Sequence, residues 1–349
     1  MAQQSLAVKY RPMSFNDMTE QSAIKDILEN QIKTKTFQNG YLFTGPAGTG
    51  KTTSARIFAS MINDGKGNPI EVDAASNSGV DNVRQIIEDA KRKPLNAEYK
   101  IFIVDECHSL SDSSWQALLK TLEEPPKFTI FIFCTTNPEK IPATILSRVQ
   151  RYNFQKISNE GIVNRLNMIL ETESKESDIP ISWSTDALEF IAKVSSGGMR
   201  DAITLLDKCL SLSHDLTLEN VLKTIGSEDY STFITFLSAL EEKEKEISIK
   251  VIEDVYNSGK DVKQFMKDFA KFVLEAEKYA LYKNFDYISL PNTLENELKQ
   301  IIDDSLFDIM DFVVSLNNQI KWENDPKTLI ELSILIYCGK EEIYDWSEK

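Results

Sequence analysis

Gly45-Pro46-Ala47-Gly48-Thr49-Gly50-Lys51-Thr52 joins small, turn-permitting residues to one cation and one hydroxyl, a pattern suited to cradling phosphates. The glycines let backbone N–H groups converge on an anion, and a helix starting at Lys51 adds the positive end of its dipole. In this arrangement Lys51 reaches the β- and γ-phosphates of a nucleoside triphosphate, and the Thr52 hydroxyl ligates Mg²⁺. Further along, Asp105-Glu106-Cys107-His108 follows the apolar run Ile101-Phe102-Ile103-Val104. Carboxylates at the carboxyl end of a buried parallel strand face the ligand crevice. Asp105 is therefore expected in the Mg²⁺ shell, and Glu106 is expected to polarise the water that attacks the γ-phosphate. Together the two motifs predict hydrolysis rather than binding alone.

These groups need a scaffold that brings them to one edge of a sheet. Strands are expected near 41–44, 70–73, 100–104 and 129–135, with a fifth near 150–154. Helical patterns separate them at 51–62, 80–92 and 112–124, and an amphipathic stretch at 22–37 precedes the first strand. Such alternation indicates an α/β fold, a parallel sheet with helices on both faces. Pro125-Pro126 stops the helix that ends Leu122-Glu123-Glu124. From about residue 158 the β signal fades, and helices are expected at 159–173, 184–195, 199–213 and 217–225. Beyond 230 the pattern is helical throughout, carried by Phe233, Phe236, Leu237, Phe265, Phe269 and Phe272.

Composition narrows the function classes. The chain has 349 residues, enough for two or three domains, and a net charge of −15. Residues 230–349 hold 14 Lys+Arg against 24 Asp+Glu, a net −10, so the acidity is concentrated there. A protein that coats nucleic acid non-specifically is disfavoured, although a local basic surface can survive in the first part. No apolar run is long enough to span a membrane and no signal peptide is evident, so no membrane partner and a cytoplasmic location are expected. Cys107, Cys134, Cys209 and Cys338 are far apart and form no C-x-x-C pair. Cys134 and Cys209 lie in apolar patterns and are expected to be core packing.

Several further motifs carry a family resemblance. They are Lys9-Tyr10-Arg11-Pro12 with Phe15, Glu71-Val72-Asp73-Ala74-Ala75-Ser76, and Ala117 to Pro125. Thr135-Thr136-Asn137-Pro138, Ile145-Leu146-Ser147-Arg148 and Gly198-Met199-Arg200-Asp201-Ala202 follow. With the phosphate loop and the Asp-Glu motif, in this order, the chain resembles the AAA+ ATPases. Within that class it resembles the gamma/tau-type subunits of bacterial sliding-clamp loaders, closely over residues 6–225 and in outline beyond.

The resemblance implies roles that spacing alone does not supply. Tyr10, Arg11 and Pro12 would line the adenine pocket, with Gly45, Pro46, Ala47, Gly48, Thr49, Gly50, Lys51, Thr52 and Thr53 around the phosphates. Thr136 matches the first sensor, which positions attacking water, and Asn137 could share that role. Met199 and Arg200 would complete the nucleotide site, Arg200 as the second sensor against the γ-phosphate. Arg148 matches the arginine offered to the nucleotide of a neighbouring subunit. The catalytic set is thus Lys51, Asp105, Glu106, Thr136, Arg148 and Arg200, with ATP and Mg²⁺ as cofactors. Arg84 matches a position near DNA, and the Lys91-Arg92-Lys93 cluster is a weaker candidate.

The implied function is the ATPase motor of a clamp loader. It would open a sliding clamp on ATP binding, load it on primer–template DNA and release it on hydrolysis, with other loader subunits in a five-membered assembly. The alternatives are a structural, non-hydrolysing loader subunit and another DNA-directed AAA+ ATPase acting on recombination intermediates. The expected domains are an AAA+ nucleotide-binding domain at 1–157, a helical lid at 158–228 and a helical collar at 229–349. Three departures stand out. Residues 63–69 replace the four-cysteine zinc module of cellular relatives, so no zinc is expected. The chain stops after the collar, and Ser111-Asp112-Ser113-Ser114 replaces a turn that is often basic. A compact version of this kind points to a phage-encoded or otherwise divergent loader, which would work in the host cytoplasm.

Overall fold

A computed structural model describes residues 4–176, 179–225, 228–285, 288–291, 294–301 and 306–344. The chain divides into two compact units, the first ending at Leu218 and the second beginning at Glu219. The expected boundary, between residues 228 and 229, lies further along the chain, and Gly226 and Ser227 beside it are outside the described residues.

In the first unit, a short helix α1 (Leu6–Lys9) and α2 (Ser22–Thr34) precede the alternating region. There β1 (Gly40–Thr44), α3 (Lys51–Ile62), β2 (Ile70–Asp73), α4 (Val80–Ala90) and β3 (Lys100–Asp105) follow one another. Next come α5 (Asp112–Glu123), β4 (Thr129–Thr135), α6 (Ala143–Leu146) and β5 (Gln150–Asn153). The five strands form one parallel sheet in the order β2-β3-β4-β1-β5. Helix α2 ends at Thr34, short of the expected residue 37, because Lys35 turns left-handed at φ 51°. Phe37 instead packs edge-on against Phe58 and Tyr99.

The period of two along a strand explains why the runs of the central strands β1, β3 and β4 are largely apolar. Tyr41, Phe43, Ile101, Ile103, Ile130, Ile132 and Cys134 enter the core layer under α2 and α3. Leu42, Phe102, Val104, Phe131 and Phe133 enter the opposite layer, against Val83 of α4 and Trp115, Leu118 and Leu122 of α5. Both faces of β1, β3 and β4 are covered, so these strands tolerate no polar alternation, whereas the edge strands β2 and β5 carry exposed polar residues. Register pairs Thr44 with Thr135 and Asp73 with Asp105, which levels the carboxyl ends of the central strands.

The remainder of this unit holds α7 (Asn159–Glu176), α8 (Thr185–Val194) and α9 (Met199–Leu212). It also holds a two-stranded parallel sheet, β6 (Ser182–Trp183) with β7 (Asp215–Leu216). This departs from the expected loss of β structure after residue 158. Strands of two residues are too short to show a period, and only their pairing over a long chain separation creates them. Helix α10 (Leu218–Ile225) begins at the division between the units.

The second unit contains α11 (Glu228–Glu241), α12 (Lys245–Asn257), α13 (Val262–Tyr282), α14 (Glu295–Ile301), α15 (Leu306–Ile320) and α16 (Pro326–Tyr344). Phe233, Phe236, Phe265, Phe269 and Phe272 meet in one aromatic cluster, with Phe236 and Phe269 centroids 4.7 Å apart. No helix among the described residues is long and apolar enough to cross a membrane.

Candidate nucleotide site

The phosphate loop leaves β1 and enters α3 with Gly50 as the residue before the first helical turn. Gly45 has φ +143°, and a Cβ there would lie 2.4 Å from the Phe154 carbonyl oxygen. Only glycine lets the loop pass this close to the end of β5. Gly48 has φ +71°, and a Cβ there would meet Gly198 Cα at 2.9 Å. Across that contact the Met199 N–H donates to the Gly48 carbonyl at 3.1 Å. The start of α9 is thereby hydrogen-bonded to the phosphate loop, and Arg200 is brought to the same opening.

That opening is a cleft of about 530 Å³. Tyr10, Arg11, Pro12, Ala47, Gly48, Thr49, Gly50, Lys51, Thr52, Thr53, Asp105, Glu106, Met199 and Arg200 all line it. Lys51 is buried, and its Nζ donates to the carbonyls of Gly45 (2.9 Å) and Pro46 (2.7 Å). Burial lowers its pKa, against the pull of nearby Cys134, Glu106 and Asp105. Among the described residues its hydrogen bonds go to neutral carbonyls, and phosphate oxygens would give this ammonium a directly bonded anion. Arg200 is exposed and forms no ion pair among the described residues.

The Thr52 hydroxyl donates to Asp105 Oδ2 at 2.9 Å, and the Glu106 N–H donates to Asp105 Oδ1 at 3.0 Å. A hydroxyl and a carboxylate at a helix N-terminus suit Mg²⁺, which takes oxygen ligands and keeps several waters alongside substrate phosphates. Thr52 and Asp105 would hold it. Among the described residues no cluster of three or more His, Cys, Asp and Glu is placed to hold a metal ion. All four cysteines are buried, and Cys134 and Cys209 pack in the interior as expected.

Glu106 adopts a left-handed backbone, φ 45° and ψ 42°, in a position where side chains rarely sit. Its Oε2 accepts from the Thr136 hydroxyl at 3.3 Å and lies 3.2 Å from His108 Nδ1. His108 Nδ1 is also 3.1 Å from Thr135 Oγ1. Thr136 therefore reaches the site through Glu106, whereas Asn137 donates its backbone N–H to Thr135 Oγ1 and does not line the cleft. Gly45 and Pro46 take part through their carbonyls alone.

Arg148 and Arg84 stand apart from the cleft. Arg148 is bound by Glu123 at 2.6 Å, and Arg84 pairs with Asp81 at 2.9 Å on an exposed helix face. The cleft also contains residues that motif reading missed, Ala7, Met18, Thr19, Arg56, Ile157, Arg165 and Ile203, together with Asp201 from the Gly198–Ala202 motif, to which no role had been given. Arg165 donates from Nη2 to the Tyr10 carbonyl at 2.8 Å, and burial lowers its pKa. Its sequence signal was a cation inside the apolar stripe Ile162, Leu166, Ile169 of α7. Arg56 pairs with Glu71 at 2.5 Å, which nothing local in the sequence foretold. Burial, with the neighbouring Glu173 carboxylate, pushes Tyr10 up to about 12. Lys9 donates to Glu173 and Glu176 at 2.8 and 2.6 Å, so the segment before the cleft is anchored on α7.

Residues 70–158 match the family model described as DNA polymerase III, delta subunit. Residues 161–215 match that of the DNA polymerase III clamp loader subunit, ATPase lid domain. The Thermotoga maritima RuvB Holliday junction branch migration motor superposes with a TM-score of 0.50 at 20% identity. That match covers 66% of this chain and 79% of RuvB, and it shows a shared fold alone. DNA polymerase III subunit tau of Bacillus subtilis is 34% identical over 97% of this chain, which spans 64% of that protein. Only half of the Mycoplasma genitalium gamma/tau subunit is spanned. The gamma subunit of Buchnera aphidicola subsp. Schizaphis graminum is matched almost end to end, at 30% identity over 87% of this chain and 88% of the relative. With a second Buchnera gamma subunit 36% identical over 72% of this chain and 73% of its own length, the chain belongs to the DNA polymerase III gamma/tau family.

Proposed function

We propose that this chain is an ATPase subunit of a sliding-clamp loader. The observation that carries the reading is the convergence of Lys51, the Thr52–Asp105 pair, Glu106 and Arg200 on one cleft, with Arg148 outside it. The N-terminus of α3 and Lys51 hold the β- and γ-phosphates of ATP. Thr52 and Asp105 would hold Mg²⁺, which would supply neutralisation of charge on the phosphates. Glu106, aligned by Thr136, takes the proton of the attacking water. Tyr10, Arg11 and Pro12 form the base side of the cleft, and Arg200 draws α9 toward the γ-phosphate. Asn137 acts only through the strand end it caps.

Arg148 serves the nucleotide of a neighbouring subunit, where a guanidinium offsets charge on the γ-phosphoryl oxygens. The intact Lys51, Thr52, Asp105 and Glu106 favour a hydrolysing subunit over a structural one. The second unit would act as the collar. Phe307 and Ile336, 71% and 64% exposed, give α15 and α16 apolar surface for neighbouring subunits. Arg84, once released from Asp81, contacts the phosphate backbone of primer–template DNA without reading sequence. The domains proposed are 1–157, 158–228 and 229–349.

Native mass measurement tests the whole reading. The full chain is mixed with a slowly hydrolysed ATP analogue, a ring-shaped replication clamp and primer–template DNA. A complex holding all of them, dependent on the analogue, is expected. A chain that binds the analogue but never retains clamp or DNA would rule the proposal out.

A further inference from the structure

Glu123 is the last residue of α5, and Pro125 prevents the helix from carrying it further. Its Oε1 accepts from Arg148 Nη2 at 2.6 Å. On the other side of the guanidinium, Nη1 donates to the Thr144 carbonyl at 2.6 Å and to Ser147 Oγ at 3.0 Å. The arginine plane is thus set by two separate elements, the carboxyl end of α6 and the carboxyl end of α5. The Nε–H and the second Nη2–H have no partner among the described residues. Side-chain exposures of 32% for Arg148 and 49% for Glu123 place the pair at the surface, where an ion pair contributes little to folding. Its consequence is orientation of a long, otherwise freely rotating side chain. The adjacent Glu124 is also exposed and makes no ion pair among the described residues.

We infer that Glu123 is a positioning residue for Arg148. It holds the guanidinium on its own subunit while leaving donors directed at an oxyanion on the next subunit. The inference rests on the proposed role of Arg148 as a finger in trans. Because the reacting nucleotide sits in the other subunit's cleft, Glu123 governs the rate of hydrolysis there and leaves nucleotide affinity alone.

Mixed assemblies of the full chain separate these roles. Finger-donating subunits carry Lys51→Ala and nucleotide-holding subunits carry Arg148→Ala, so hydrolysis arises only where an intact arginine faces an intact loop. Adding Glu123→Ala to the donor is expected to lower kcat about fivefold, the rate equivalent of one lost hydrogen bond, with KM for ATP unchanged. The same change in the nucleotide-holding subunit leaves the rate alone. Glu123→Gln in the donor, which keeps an acceptor oxygen, restores most of the rate, and Glu124→Ala, which removes the same charge, has no effect. An unchanged or faster rate with Glu123→Ala in the donor overturns the inference, as does a rate loss that accompanies a smaller assembly by sedimentation. If uniform Arg148→Ala protein hydrolyses ATP normally, the finger reading itself falls. If that protein is inactive while Glu123→Ala is not, the positioning role alone is lost.

Discussion

Glu106→Gln separates chemistry from structure at the candidate site. Gln has the same length and keeps an oxygen to accept from the Thr136 hydroxyl, now at 3.3 Å, so the local geometry persists. What disappears is the charge and basicity of a carboxylate that is 40% exposed. A positioned general base contributes on the order of 10²–10⁴ in rate, or about 3–5 kcal/mol of barrier. Stability should change by no more than about 0.5 kcal/mol, as for a surface substitution. A second substitution sharpens the contrast. Glu106→Gly relieves about 1–2 kcal/mol of left-handed strain. It also loses a hydrogen bond of about 1 kcal/mol and adds about 0.5–1 kcal/mol of chain entropy cost. These terms nearly cancel, so the glycine variant should melt within a few degrees of the parent. The assay combines single-turnover hydrolysis, titration with a fluorescent ATP analogue and thermal melting. Normal turnover in Glu106→Gln would refute the general-base role, and activity that fell only in step with folded protein would refute it equally.

Lys51 makes nucleotide affinity pH-dependent. Burial holds its pKa below 10.5 in the free protein, and bound phosphates raise it again. Affinity is therefore full below the depressed value and falls as pH rises from there toward the bound value. Calorimetry in two buffers should detect proton uptake on binding in that alkaline range, and pH-independent affinity would contradict the burial argument. Gly48→Ala should cost roughly 2–3 kcal/mol, from left-handed strain and loss of the Met199 hydrogen bond, and lower Tm by about 5–10 °C. A parent-like melt would show that the contact with Gly198 yields easily. Removing residues 230–349 should leave a nucleotide-binding species that no longer assembles, checked by sedimentation. Persistence of the full-size oligomer would disprove the collar role.

The centre of the sheet was legible because β1, β3 and β4 are buried on both faces, which forces an unbroken apolar run such as Ile101 to Val104. Helix α3 matched its expected bounds, 51–62, because the phosphate loop and the helix it opens are contiguous in the chain. The second unit was legible through the helical spacing of its phenylalanines. By contrast, α1 was invisible: four residues carry no period, and the helix is anchored by Lys9 on α7 and by the Leu6 N–H on Asp207. The β6–β7 pair failed for the same reason.

The same division runs through the site. Local order along the chain determined the phosphate loop, the Asp105-Glu106 pair and their place at the carboxyl ends of β1 and β3. Those features depend on glycine conformations, strand direction and a helix N-terminus, all properties of neighbouring residues. Only the tertiary structure decided that Thr52 touches Asp105, that Thr136 reaches Glu106 and that Arg165 and Arg56 join the cleft. It alone put Arg148 in the grasp of Glu123. Each of those contacts joins residues far apart in the chain, and a charged side chain on a helix has no local pattern that names its partner. Partner choice is set by which element ends pack together, and that is a property of the folded chain.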